Sequence, residues 1–102
     1  MTQIKDIVWR ILVAHKIHEL YCEKTNSARC VRRAHDLFGR YLCSVDYNTF
    51  CRYLRTEVPD MYVLPPCIVV GLNCMVLAHM KHPIPLTEDE AAEFMEEMAE
   101  AL

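Results

Sequence analysis

The side chains with the clearest chemistry in this sequence are arginines. Arg29, Arg32, Arg33, Arg40, Arg52 and Arg55 all fall between residues 27 and 55, where only Asp36 and Asp46 oppose them. A guanidinium group neutralises phosphate and can also take a guanine edge through two hydrogen bonds, and an asparagine such as Asn48 can read adenine in the same two-point way. Such a cluster suits a nucleic acid, with Arg29, Arg32, Arg33 and Arg55 on backbone phosphates and Asn48, Thr49 and Arg52 on base edges. The competing reading is an ordinary solvated helix face, because the chain as a whole is slightly acidic.

A second group of chemical interest is His15, His18 and Cys22, which share one face of a helix and could supply three zinc ligands, with Cys30 or another thiol as the fourth. The same positions continue an apolar stripe begun by Ile4, Val8 and Ile11, which favours core residues satisfied by hydrogen bonds. Cys74, His79 and His82 form a weaker set, since Cys74 and His79 do not share a face. Neither set has the paired spacing of zinc motifs, so neither a metal nor another cofactor is expected. There is no glycine-rich phosphate loop, no G-x-S-x-G elbow and no H-E-x-x-H, and the expectation is that the protein is not an enzyme.

The elements that must carry these residues are helices, expected at about 3–24, 27–39, 46–56, 66–81 and 88–101. The first has two apolar arcs, one through Ile4, Ile7, Val8, Ile11, Ala14 and His15, the other through Trp9, Val13, Ile17 and Leu20. A helix apolar on two sides is flanked by its neighbours or shared with a second subunit. Ser27 is the expected N-cap of the second helix, and Gly39 either ends it or lies inside a helix continuing to Cys43. The third helix turns Phe50, Tyr53 and Leu54 inward. Pro65 and Pro66 open the fourth, which carries Ile68, Val69, Leu72, Met75 and Val76 with little polar surface and is expected to be the most buried; a strand over 63–72 is the alternative. Thr87 with Glu90 forms a capping box for the last helix, with an apolar seam at Ala91, Met95, Met98 and Leu102.

Ser44, Val45, Asp46, Tyr47, Asn48, Thr49, Phe50, Cys51, Arg52, Tyr53 and Leu54 together resemble the turn and second helix of helix-turn-helix DNA-binding domains, and residues 28–39 resemble the first helix. The resemblance implies that Tyr47 to Arg55 is a recognition helix entering the major groove. Arg40 to Cys43 separate the two halves, so either the turn is lengthened or the first helix runs on. In the second case Arg40 falls where that family prefers a small residue.

With 102 residues, 53% apolar and 25% charged, the chain is expected to be one compact all-α domain. Six cysteines without a C-x-x-C pair point to reduced thiols and a cytoplasmic protein. The longest apolar run, Cys67 to Met80, is shorter than the ~20 residues of a membrane span. The net charge of −3 conceals a polarity: residues 1–86 hold all 11 Lys and Arg against 7 acids, and the tail from Thr87 holds 7 acids and no base. That tail is either a solvated acidic helix or one that screens the basic middle. The function expected is nucleic-acid binding. The alternative is a homodimeric interaction or scaffold module, motivated by the excess of apolar surface.

Overall fold

The computed structural model describes residues 2–23, 29–58, 62–81 and 87–101, with the side chains of 7–23, 29–58, 62–80, 87–97 and 100. The domain is all-α, and the described residues contain no strand. The described residues form five helices. We label them α1 (Thr2–Tyr21), α2 (residues 31–42), α3 (Tyr47–Arg55), α4 (Pro66–Lys81) and α5 (Glu88–Ala101).

Helix α1 is the hub, in contact with α2, α3 and α4. Ile11, Val13, Ala14, Ile17 and Tyr21 are buried, and Trp9 and Leu20 pack partly against the same core. These residues come from both expected arcs, as a flanked helix requires. The helix stops at Tyr21, three residues earlier than expected. Cys22 still donates to the His18 carbonyl at 3.0 Å, but the Glu23 N–H has turned to the Arg29 carbonyl, also at 3.0 Å. The cap assigned to Ser27 lies outside the described residues.

Helix α2 runs through Gly39 rather than ending there. It consists of an α-helical turn (Val31–Ala34), a π-helical turn (His35–Gly39) and a last α-helical turn (Arg40–Leu42). Arg40 N–H donates to the His35 carbonyl five residues back, the hydrogen bond that defines a π-turn. Between 34 and 39 every residue except Asp36 is buried. Gly39 has helical φ and ψ of −61° and −39°, so backbone freedom is not what it supplies. What it supplies is room: a Cβ there would stand 2.6 Å from Phe50 Cε1 and 2.7 Å from Phe50 Cδ1. The helix-ending conformation falls instead to Ser44, at φ 55° in the left-handed region, within a turn over residues 43–46.

Helix α3 lies against α1 and the π-turn of α2, burying Phe50 completely. Helix α4 opens on Pro66, and the Pro65 carbonyl accepts from the N–H groups of Ile68 (3.0 Å) and Val69 (3.1 Å). It is a helix, as expected, and not the alternative strand. The expectation that it is the most buried element fails. Ile68, Leu72 and Val76 are buried, but Cys67, Val70, Cys74, Leu77 and Ala78 are exposed, because among the described elements only α1 and α5 cover it extensively.

Helix α5 rests on α4 and on the last turn of α2. Its capping box is formed in both directions: Glu90 N–H donates to Thr87 Oγ1 at 3.2 Å, and Thr87 N–H donates to Glu90 Oε1 at 3.1 Å. Of the expected seam, Ala91 is buried and Met95 half-buried against the core, and the buried face also takes in Phe94, which the seam left out. Phe94 enters the common core. The side chain of Met98 and all of Leu102 lie outside the described residues.

Candidate nucleic-acid interface

Asp46 fixes the start of α3. Its extended backbone (φ −75°, ψ 172°) leaves the carboxylate to accept the Thr49 N–H at 3.0 Å. Hydrogen bonds from Thr49, through its side chain and then its backbone, hold the Asp46 carboxyl below its ordinary value. At the other end the His15 ring Nε2 lies 2.8 Å from the Tyr53 carbonyl. A carbonyl only accepts, so Nε2 carries the proton, and His15 adds a second hydrogen bond to a carbonyl that also accepts the Thr56 N–H at 3.1 Å. Phe50 anchors the middle against Gly39. Capped, tied and anchored, α3 presents Asn48, Arg52 and Arg55 to solvent on a single face at four- and three-residue spacing.

Arg32 stands beside the first turn of α3, its guanidinium 4.5 Å from the centre of the Tyr47 ring. The contact holds a flexible cation at a defined place while leaving the side chain exposed. Tyr47 remains a neutral phenol, its pKa raised first by a hydrogen bond with Cys51 and then by the electrostatic effect of that same side chain. Arg32 and Arg40 line an open cleft of about 510 Å³ between α2 and the start of α3, together with His35, Asp36, Ser44, Val45, Asp46 and Tyr47. The His35 ring is buried, with Nε2 2.7 Å from the Val45 carbonyl, which fixes the proton there. Its Nδ1 has no hydrogen-bond partner among the described residues, and the nearest carboxylate, on Asp36, is 3.8 Å away.

The seven residues singled out from the sequence divide by use. Asn48, Arg52, Arg55, Arg32 and Arg33 are exposed, and among the described residues none of these four arginines has a carboxylate partner. Arg29 is engaged internally. It pairs with Glu23 at 2.6 Å, donates through Nε to the Tyr21 carbonyl at 2.9 Å and lies 5.7 Å from the Tyr21 ring centre. Thr49 is half-buried and occupied with Asp46. Arg40, counted in the arginine cluster but assigned there to neither phosphates nor bases, joins Arg32 at the cleft; its place on a continued α2, with Tyr47 across the turn, was the available signal.

The zinc set does not assemble. His15 is bound to the Tyr53 carbonyl, His18 is exposed, and burial together with the nearby Cys30 pushes the Cys22 thiol up to about 11. Among the described residues no three His, Cys, Asp or Glu side chains are grouped to hold a metal ion. Burial pushes Cys43 up to about 12, and all six cysteines are free. At neutral pH Cys22 and Cys43 are therefore thiols rather than the thiolates that would attack or ligate. None of the described helices is long and apolar enough to cross a membrane.

The acidic residues of α5 do not reach the arginines. Glu88, Asp89, Glu90, Glu93, Glu96, Glu97 and Glu100 are exposed, and Glu90 lies 3.9 Å from His79. The Glu90 carboxyl is held below its ordinary value first by the Thr87 N–H. No family model, characterised protein or solved structure matches this chain.

Proposed function

We propose that this protein binds nucleic acid through the outer face of α3 and the neighbouring arginines of α2. One observation carries the reading: Asn48, Arg52 and Arg55 form a solvent-facing stripe on a helix whose other side is locked by Phe50, Asp46 and His15. A rigid short helix with polar readers on its free face is what base-edge contact requires, and arginines flanking its first turn are what phosphate contact requires. Asn48 and Arg52 touch base edges in this reading. Arg32, Arg33, Arg40 and Arg55 hold the backbone, and Arg29 contributes by fixing the α1–α2 connection.

The test is fluorescence anisotropy with random-sequence duplex DNA over a series of salt concentrations. Binding is expected at low ionic strength and falls as salt rises. Arg33→Ala weakens all sequences alike and lowers the salt slope by about one, whereas Arg52→Ala costs about 1–3 kcal/mol on a preferred sequence and relaxes the preference. A folded chain that binds no duplex at low ionic strength overturns the proposal. A second reading, association with another protein, is favoured by the bare apolar side of α4.

A further inference from the structure

Helix α4 carries an exposed stripe that its own domain leaves uncovered. Cys67, Val70, Cys74 and Leu77 are all exposed, and their spacing of three, four and three is the a–d pattern of a two-helix seam. Val70 is 60% and Leu77 61% accessible, and Val63, just before the helix, is 68% accessible. From residue 62 to residue 80 the sequence has no Asp, Glu, Lys or Arg. The residues flanking the stripe are small or uncharged, among them Gly71 and Ala78, which let a second helix approach closely. Glu97 of α5, about 4.0 Å from where a Gly71 side chain would begin, stands at the rim. A partner recognised by charge would find nothing on this stripe to pair with.

We propose that the stripe pairs with the same stripe of a second copy of this chain, the two α4 helices running antiparallel across a two-fold axis near residue 72. The register is self-complementary. Residues whose numbers sum to 144 meet, so Cys67 lies against the partner's Leu77 and Val70 against the partner's Cys74. Each layer then joins a small thiol to a larger aliphatic group, and two-fold symmetry repeats each layer once. A parallel pair would instead set Cys67 on Cys67 and Leu77 on Leu77, leaving one layer thin and another crowded. The seam spans about 15 Å, a short contact of the kind that gives weak, transient association. The inference stands apart from nucleic-acid binding, which uses α2 and α3.

Sedimentation equilibrium of the full chain, under reducing conditions at micromolar to hundred-micromolar concentration, measures the dimer. Leu77→Lys is expected to raise its dissociation constant at least tenfold while leaving the circular dichroism and the duplex-DNA titration unchanged, since Leu77 is mostly in solvent in the monomer. Register is tested by mild oxidation. Leu77→Cys should give a covalent dimer through Cys67 of the partner subunit, and adding Cys67→Ser should abolish it. A crosslink that survives Cys67→Ser overturns the antiparallel register. A chain monomeric at hundred-micromolar concentration, or a dimer indifferent to Leu77→Lys, overturns the self-association and leaves the stripe to a different helix.

Discussion

Helices α3 and α4 make opposite use of their surfaces. Helix α3 has nine residues and contrasts sharply around its axis, with Phe50 completely buried and Asn48, Arg52 and Arg55 in solvent. Helix α4 has sixteen residues and no charged side chain before Lys81, yet Val70 and Leu77 are more than half exposed. The comparison teaches that apolar content does not orient a helix; contrast between its faces does. A helix apolar all round can bury any side, and its neighbours decide which.

The largest effect expected on this comparison is at the point where α3 is anchored. Phe50→Ala should cost about 3–5 kcal/mol in urea unfolding, since the ring is fully enclosed. Gly39→Ala should also destabilise the wild-type chain, because its Cβ would strike that ring. Combined with Phe50→Ala, the same change should become neutral or favourable, since the obstruction is gone and alanine's helix propensity, about 1 kcal/mol over glycine, remains. Simple additivity of the two changes would show that Gly39 has some other purpose.

The two sides of α4 should separate next. Leu72→Ala, on the buried side, is expected to cost about 2–5 kcal/mol, and Val70→Ala, on the bare side, less than about 0.5 kcal/mol when both are measured on dilute chain. Equal losses would mean that Val70 is covered within the monomer, which would break the contrast between α3 and α4.

What was legible in the sequence is what depends on neighbours along the chain. The Thr87–Glu90 box and the proline start of α4 are local hydrogen-bond chemistry within three or four residues, and both are formed. The all-α class followed from periodicity, and so did the exposure of Asn48, Arg52 and Arg55 on α3, though Thr49 is half-buried. What was not legible depends on distant partners. Gly39 was readable as a cap because glycine often ends helices, but its use is set by Phe50, eleven residues on. His15 looked like a stripe residue or a ligand, and its partner is a carbonyl thirty-eight residues away. Arg29 was grouped with the phosphate contacts, and the fold spends its charge on Glu23. On α5 the methionines suggested a seam, but the deeper residue is Phe94, one step round the helix.

The smallest expected effect concerns how the two helices begin. Helix α3 starts on a carboxylate and α4 on a proline ring, so only the first can respond to acid. Asp46 is held below its ordinary value of 3.8 by hydrogen bonds from Thr49. A depressed carboxyl contributes stability that is fully present above the unfolded value and is lost as pH falls through the folded one. Asp46→Ala should therefore lower the melting temperature at neutral pH by at most about a few degrees, and the gap from wild type should close below pH 3.8. Asp46→Asn separates geometry from charge, because asparagine caps a helix as well as aspartate but does not titrate in this range. It should keep most of the neutral-pH stability and lose the acid response. Thermal melts followed by circular dichroism between pH 2 and pH 7 would decide it, and an Asp46→Asn chain with an acid response equal to wild type would place the sensitivity on another carboxyl, with Glu90 of the α5 capping box the next to replace.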